Sequence, residues 1–420
     1  MGYCHCNCMN RNEDNENNND DKKEIILDLN IKDKDKKKDN IFSMDFREDK
    51  EMITDLESES FIFGKVNRIY NPTILIGLAN IEAFSYMNPT LQCLSNTDKL
   101  TNYFLDEFKY DKDDDTKKIS YQYYNVLQHL WDKYSDKKEY APNDFKKLLS
   151  EINPLFSGKN TVYSKDLLSY LLEMLHRELT KASKEEEINN IDNIKQNEEE
   201  IKQYFFKDFS KKNNSIISDL FYFAFETKSQ CSICNFIKFN FQVTSFLDFP
   251  LEQINQYLYN KGKIMSLTNN DGTNLEINLY DCFDYYQKTG IIDGDNKIYC
   301  NACNGYYDSN YSTTLYSLPE ILAINLDRGK NEVYQCNVNF PEELDLTNYV
   351  INKEFNTKYE LYGVICHIGP SPMSGYIAAY CRNRMDNKWY LYNDSIITLC
   401  EKSYEYLNKM PYILFYKSIT

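Results

Sequence analysis

The sequence predicts an α+β fold, and three features predict it. Residues 88–105 and 165–181 space their apolar side chains as helices do; in the second, Leu168, Leu171, Leu172 and Leu175 form one stripe. From about residue 216 the pattern changes to short aromatic and β-branched runs such as FYFAF (221–225), FIKFNFQVTSF (236–246) and TLYSLPEILAINL (314–326), which read as strands. Within that half lie two C-x-x-C pairs, CSIC (231–234) and CNAC (300–303). Helices first and strands after is the order of an α+β protein, not of alternating βαβ units.

The 420 residues, 42% hydrophobic and 15% aromatic, suffice for one large domain plus a tail, or for several modest domains. The 36 Tyr are a bias of composition, not a functional signal. A net charge of −16 excludes nonspecific nucleic-acid binding, which needs concentrated Lys and Arg. The chain has no run of 18 apolar residues and no apolar leader at its polar N-terminus, so neither a membrane span nor secretion is expected. An intracellular, cytoplasmic chain is the expectation, with its 13 Cys as thiols or metal ligands rather than disulfides.

Residues 9–24 and 30–40 are dominated by Asn, Asp, Glu and Lys and cannot bury enough apolar surface to offset chain entropy. We therefore expect a disordered tail over 1–60 and a folded domain over 61–420, with a charged insertion at about 183–212 and a strand-rich part at about 216–315. The short run IILDL (25–29) is a weak docking candidate. The chain opens MGYCHCNC. Removal of Met1 would expose Gly2 to myristoylation, and Cys4, Cys6 and Cys8 are candidates for palmitoylation; two acyl chains anchor stably at a membrane surface where one does not. The usual Ser or Thr at position 6 is replaced by Cys6, and a flexible metal-binding tail that includes His5 is the competing reading. The Lys of 32–38 alternate with Asp33 and Asp35 and add little polybasic attraction.

Each C-x-x-C pair puts two thiolates on one tight turn, half of a tetrahedral site. Cys231, Cys234, Cys300 and Cys303 together predict one structural zinc site, although residues 235–299 make a longer gap than in small zinc ribbons. Four protein ligands leave no open position for a substrate. Cys93, Cys282, Cys336, Cys366, Cys381 and Cys400 lack such pairing and are expected to pack in the core.

The segment GLANIEAFSYMNPTLQCLSN (77–96) resembles the cysteine box of the ubiquitin-specific proteases, roughly G-L-x-N-L-G-N-T-C-Y-M-N-x-x-L-Q, at Gly77, Leu78, Asn80, Tyr86, Met87, Asn88, Leu91 and Gln92. PNDFKKLLSEINPLFSG (142–158) and DLLSYLLEMLHREL (166–179) look like the helical region that follows. FETKSQCSICNF (225–236) and IYCNACN (298–304) look like the fingers. SLPEILAINLDR (317–328) and FPEELDLTNYV (340–350) look like the later strands. The segments within 359–395 resemble the histidine box. The matches fall in order over about residues 74–418. They imply a papain-like fold of thumb, palm and zinc-ribbon-like fingers, and a ubiquitin or ubiquitin-like partner.

The resemblance also exposes what is missing. The family's chemistry needs a thiolate nucleophile, a His base, an Asp or Asn that orients the His, and oxyanion donors. The nucleophile position carries Ser85, preceded by Glu82, Ala83 and Phe84 where the family has Gly, Asn and Thr. Where the family reads G-H-Y-x-A-Y this chain reads GYIAAY (375–380), so Tyr376 holds the base position, and no His follows His367. A phenol of pKa near 10 is a poor proton acceptor at neutral pH. His367 matches a different family His and is taken as structural; His129 and His176 fall in helical segments. Asn80 matches the oxyanion Asn, and Asn393 and Asp394 match the orienting region. The family's acidic motif reads VYSKDL (162–167) here, with Asp166 at the Glu position. The expectation is a pseudoenzyme that binds ubiquitin or scaffolds other proteins. A residual deubiquitinase and a purely structural subunit without ubiquitin contact are the alternatives.

Overall fold

The computed structural model describes residues 74–81, 85–110, 115–158, 162–181, 198–264, 276–329, 334–371, 374–401 and 410–419. All belong to the unit Arg68–Thr420. The tail residues Gly2, Cys4, Cys6, Cys8 and IILDL, and the run Glu82, Ala83 and Phe84, lie outside the described residues.

The helical half is built around α1 (Met87–Ser95), every residue of which is buried. Pro89 sits in its first turn, where a missing N–H costs no ladder bond. Around it lie α2 (Asp98–Asn102), α3 (Lys118–Leu130), α4 (Asn143–Ile152) and α5 (Ser164–Leu179). The predicted stripe of α5 is its buried face: Leu168, Leu171, Leu172 and Leu175 are all nearly inaccessible. At the α5 N-terminus, Asp166 Oδ2 accepts the Tyr163 N–H at 3.0 Å, so this carboxylate caps its own helix.

The charged run ends in a helix, α6 (Glu198–Lys212), with three Glu at its start and two Lys at its end, the order the helix dipole favours. Its Phe205 and Phe206 rest on Phe241 at 5.5 and 5.6 Å between ring centroids, and Phe206 stacks on Tyr316 at 4.9 Å. Strands were expected from about 216, yet Ile216–Phe221 is a further helix, α7. The reason is local: Ser215 Oγ accepts the Ser218 N–H, and Ser218 Oγ accepts the Ser215 N–H, which closes a helix N-terminus.

The strands form a finger and a palm. In the finger, β3 (Phe223–Cys231) pairs with β4 (Ile237–Thr244) and with β10 (Ser309–Leu315), which also pairs with β7 (Thr289–Ile292). A hairpin of β8 (Ile298–Cys300) and β9 (Gly305–Tyr307) sits at the knuckle end. The palm follows the order β17 (Ile396–Leu399), β16 (Trp389–Asn393), β15 (Ser374–Arg382), β14 (Lys358–Ser371), β18 (Met410–Ser418), β11 (Ile321–Asp327), β5 (Leu247–Pro250), and β13 (Glu343–Asp345) pairs with the start of β14. Two short parallel pairs complete the sheets: β1 (Gly77–Leu78) with β2 (Glu139–Tyr140), and β6 (Glu276–Asn278) with β12 (Asn337–Asn339).

The palm is buried on both faces. Ile365, Ile413 and Phe415 point into the core with α1, whereas Val364, Cys366, Leu414 and Tyr416 point into a second core with α8 (Leu251–Asn260) and α9 (Leu279–Tyr286). This alternation is the period of two that a strand imposes. Helix and strand segregation is therefore the α+β architecture expected, with the cysteine-bearing finger attached to it.

Candidate active site and finger metal site

The segment before α1 is held by backbone geometry that few residues permit. Gly77 N–H donates to Lys138 O at 2.8 Å and Ala79 N–H to Tyr140 O at 2.8 Å, while Leu78 N–H turns the other way to Asp394 O at 3.0 Å. A Cβ on Gly77 would lie 2.6 Å from Ser395 Cα and 2.8 Å from Asp394 O, both backbone atoms, so only glycine fits. Asp394 itself has φ 52°, the left-handed region that Asp and Asn tolerate.

Asn88 locks this arrangement. Its Nδ2 donates to Asp394 Oδ1 at 2.7 Å and lies 3.2 Å from both Leu78 O and Ala79 O. The bond to Asp394 spans 306 positions of chain. Its Oδ1 is buried and accepts no hydrogen bond among the described residues. Gln92, one turn on, donates to Ile76 O at 3.1 Å. Asn88 was only a matching letter in the sequence. The signal of its role is a polar residue where α1 is otherwise packed into the core.

Ser85 is exposed, in the turn that leads into α1. Tyr376 is 40% exposed near the start of β15, opposite Ile368 of β14. Helix α1 packs on β15, and Cys93 Sγ lies 3.5 Å from Cys381 Sγ in between, both thiols buried as expected. Gly375, with φ 139°, precedes Tyr376; a Cβ there would meet Ile368 O at 2.4 Å and His367 Cε1 at 2.9 Å. Asn393 ends β16, and Asn80 is exposed beyond β1.

The histidines of the described residues are otherwise engaged. His367 is buried on β14, and burial pushes its pKa down. His176 is buried with Nδ1 2.7 Å from Ser215 Oγ and Nε2 3.2 Å from Asn213 Oδ1. His129 stacks on Tyr140 at 4.0 Å, with Nδ1 2.7 Å from Asn125 O.

In the finger the four predicted ligands converge: the Sγ atoms of Cys231, Cys234, Cys300 and Cys303 lie within 4.8 Å of one another, and Cys234 and Cys300 approach to 3.5 Å. A tetrahedral ion with metal–sulfur bonds of about 2.3 Å needs sulfurs about 3.8 Å apart, so the donor set fits a metal. Backbone N–H groups of Cys234 and Ile233 draw the Cys231 thiol down to about 7. Hydrogen bonding with Cys234 and burial push Cys303 up to about 12. The cysteine after each x-x is followed by Asn in both knuckles, and Asn235 (φ 59°) and Asn304 (φ 50°) are both left-handed. The shared C-x-x-C-N pattern in the sequence is the signal of this common turn. Pairing of Ser309 with Cys231 between β10 and β3 helps bring the two distant motifs to one end of the sheet.

The family model for ubiquitin carboxyl-terminal hydrolase matches residues 76–416. Curated relatives include human ubiquitin carboxyl-terminal hydrolase 2, 26% identical over 356 residues that cover 82% of this chain and 55% of that protein. Ubiquitin carboxyl-terminal hydrolase Usp2 of Drosophila melanogaster is 25% identical over 82% of this chain and 35% of its own length. Ubiquitin carboxyl-terminal hydrolase 5 of Saccharomyces cerevisiae is 24% identical over 84% and 46%. The chain thus matches about half or less of the length of these relatives. With a match across more than three quarters of its residues, this chain belongs to the ubiquitin carboxyl-terminal hydrolase family, in its ubiquitin-specific protease form.

Proposed function

We propose that this chain is a pseudoenzyme of its family: it binds ubiquitin or a ubiquitin-like protein, or scaffolds other proteins, without hydrolysing the bond its relatives are named for. The observation that carries the reading is the joint replacement of nucleophile and base by Ser85 and Tyr376. A hydroxyl attacks a carbonyl only when a base takes its proton, and Tyr376 is a phenol. The surroundings support it. His129, His176 and His367 are engaged by stacking, by Ser215 and Asn213, and by burial. Asn80 and Asn393 remain as support without reactants.

The test is turnover of a ubiquitin C-terminal fluorogenic substrate beside ubiquitin titration. Binding without turnover is expected. Turnover that disappears in Ser85→Ala would replace this reading by a residual deubiquitinase. Absence of ubiquitin binding at high concentration would leave a purely structural subunit. Restoring the reactants, Ser85→Cys with Tyr376→His, is expected to raise turnover above that of Ser85→Cys alone.

We assign the four-cysteine site to structural zinc, which closed thiolate sets prefer. We further propose an intracellular protein attached to a membrane surface through Gly2 and one or more of Cys4, Cys6 and Cys8. Intact mass of the native protein tests this; unmodified Gly2 with free thiols at all three positions refutes it.

A further inference from the structure

The finger sheet runs β4, β3, β10, β7, so β4 and β7 are its edges. β7 has four residues and β4 has eight. Along β4, Ile237, Phe239, Phe241 and Val243 alternate with Lys238, Asn240, Gln242 and Thr244. Its register with β3 runs without a shift from Phe223 opposite Thr244 to Gln230 opposite Ile237. Among the described residues no strand, loop or side chain hydrogen-bonds to its outer side. Helix α6 crosses the face of the sheet instead, touching Phe241 of β4, Lys228 of β3 and Tyr316 just after β10. Free edges are normally blunted by Pro, bulges or charges. β4 has no Pro, no bulge and one charge, Lys238.

The ladder decides which groups face outward. Cys231 N–H donates to Phe236 O at 3.0 Å, so this pair is hydrogen-bonded. Alternation then turns the backbone groups of Lys238, Asn240 and Gln242 toward β3, and those of Ile237, Phe239, Phe241 and Val243 outward.

We propose that β4 is a homodimer edge: two copies of this chain join antiparallel, β4 to β4, about a twofold axis at Asn240. That centre sets Phe239 opposite the partner copy's second Phe position, 241, and Ile237 opposite position 243, and both are pairs whose N–H and C=O face outward. Apolar side chains then meet on one face, and Lys238 meets position 242, a Gln, on the other. Charge favours a second copy here. The chain carries −16, yet the four finger strands hold a single acid, Glu226, which is buried and paired with Lys228 at 3.1 Å. Two copies meet at this edge without opposing carboxylates, and neither Lys238 faces the other.

Sedimentation equilibrium of the full chain tests the dimer. The average mass is expected to rise from 49.8 kDa toward twice that as concentration passes about 10–100 µM, the weak range of a small interface. Phe239→Pro removes an outward N–H, which an edge strand tolerates, and should weaken association about ten-fold or more, because symmetry deletes the bond twice. Two cysteine variants read the register. Asn240→Cys sets two thiols opposite each other at the twofold, and diamide should join them in an intermolecular disulfide mapped by peptide mass. Gln242→Cys, whose copy lies further along the partner strand, should not crosslink. A chain that stays monomeric at about 200 µM, above that range, would overturn the homodimer and leave the edge to a strand of another protein. Unchanged association in Phe239→Pro, or equal crosslinking of the two cysteine variants, would overturn it as well.

Discussion

Replacing Asn88 by Ala tests whether the candidate site is held by the framework described. The substitution removes the donor to Asp394 Oδ1 at 2.7 Å and to the carbonyls of Leu78 and Ala79 at 3.2 Å. Asp394 is half-exposed, so water replaces part of its loss, and we assign it about 1–1.5 kcal/mol. The two long carbonyl contacts, sharing one amide, add about 1.5 kcal/mol between them. Against this, Asn88 Oδ1 is buried and unsatisfied, and its removal returns about 1 kcal/mol. The net is a destabilisation of about 2 kcal/mol, or a fall of about 3 °C in Tm for a domain of this size. Urea unfolding followed by tryptophan and tyrosine fluorescence measures it. Asn88→Asp sharpens the test, because it sets two carboxylates side by side in the folded state and raises their folded pKa values. The sign follows: below about pH 4, the unfolded Asp value, the repulsion is absent, and the penalty grows as pH rises through the raised folded values. A midpoint for Asn88→Ala equivalent to less than about 0.5 kcal/mol, or an Asn88→Asp penalty that ignores pH, would refute the lock.

Other perturbations follow the same logic. Gly77→Ala drives a Cβ to 2.6 Å from backbone at Ser395 and should cost about 2–4 kcal/mol in urea unfolding, because neither side is a flexible side chain. Cys303→Ser should lower zinc content, read by elemental analysis, from one toward zero per chain, and chelation should speed amide exchange at Ile298–Tyr307 while the palm stays protected. His367 has its pKa lowered by burial, so the unfolded state binds its proton first; stability should be lost as pH falls from about 6.5 toward the depressed folded value, by at most about 1.4 kcal/mol per pH unit. His367→Gln should flatten that slope in urea titrations across the same window.

Features written in local sequence were legible. The Leu168 to Leu175 stripe became the buried face of α5 because helical period and burial coincide there. Each cysteine knuckle was legible because its two ligands lie three residues apart; their common site was read from the repetition of the motif. Ile216–Phe221 went to a helix because the reciprocal hydroxyl cap of Ser215 and Ser218 outweighs the β-like composition around it. The contacts that build the candidate site were not legible. Asn88 meets Asp394 across 306 positions, and the reason for Gly77 is backbone that belongs to residues 394–395. No periodicity records such pairings.

The physical cost of change differs sharply between the two sets of residues. Ser85 is exposed and Tyr376 is 40% exposed, so their side chains carry little of the packing, and substitutions at such positions usually move stability by less than about 0.5 kcal/mol. Asn88, Gly77 and Asp394 hold α1, β1 and the turn after β16 together, and each bond they lose reaches the core through α1, which is buried along its whole length. Reactants can therefore be exchanged at almost no cost in folding, whereas the framework cannot. An active-site scaffold that stays intact around Ser85 and Tyr376 is thus no argument for retained hydrolysis. It follows from stability alone, and the chemistry has to be argued from the reacting groups themselves.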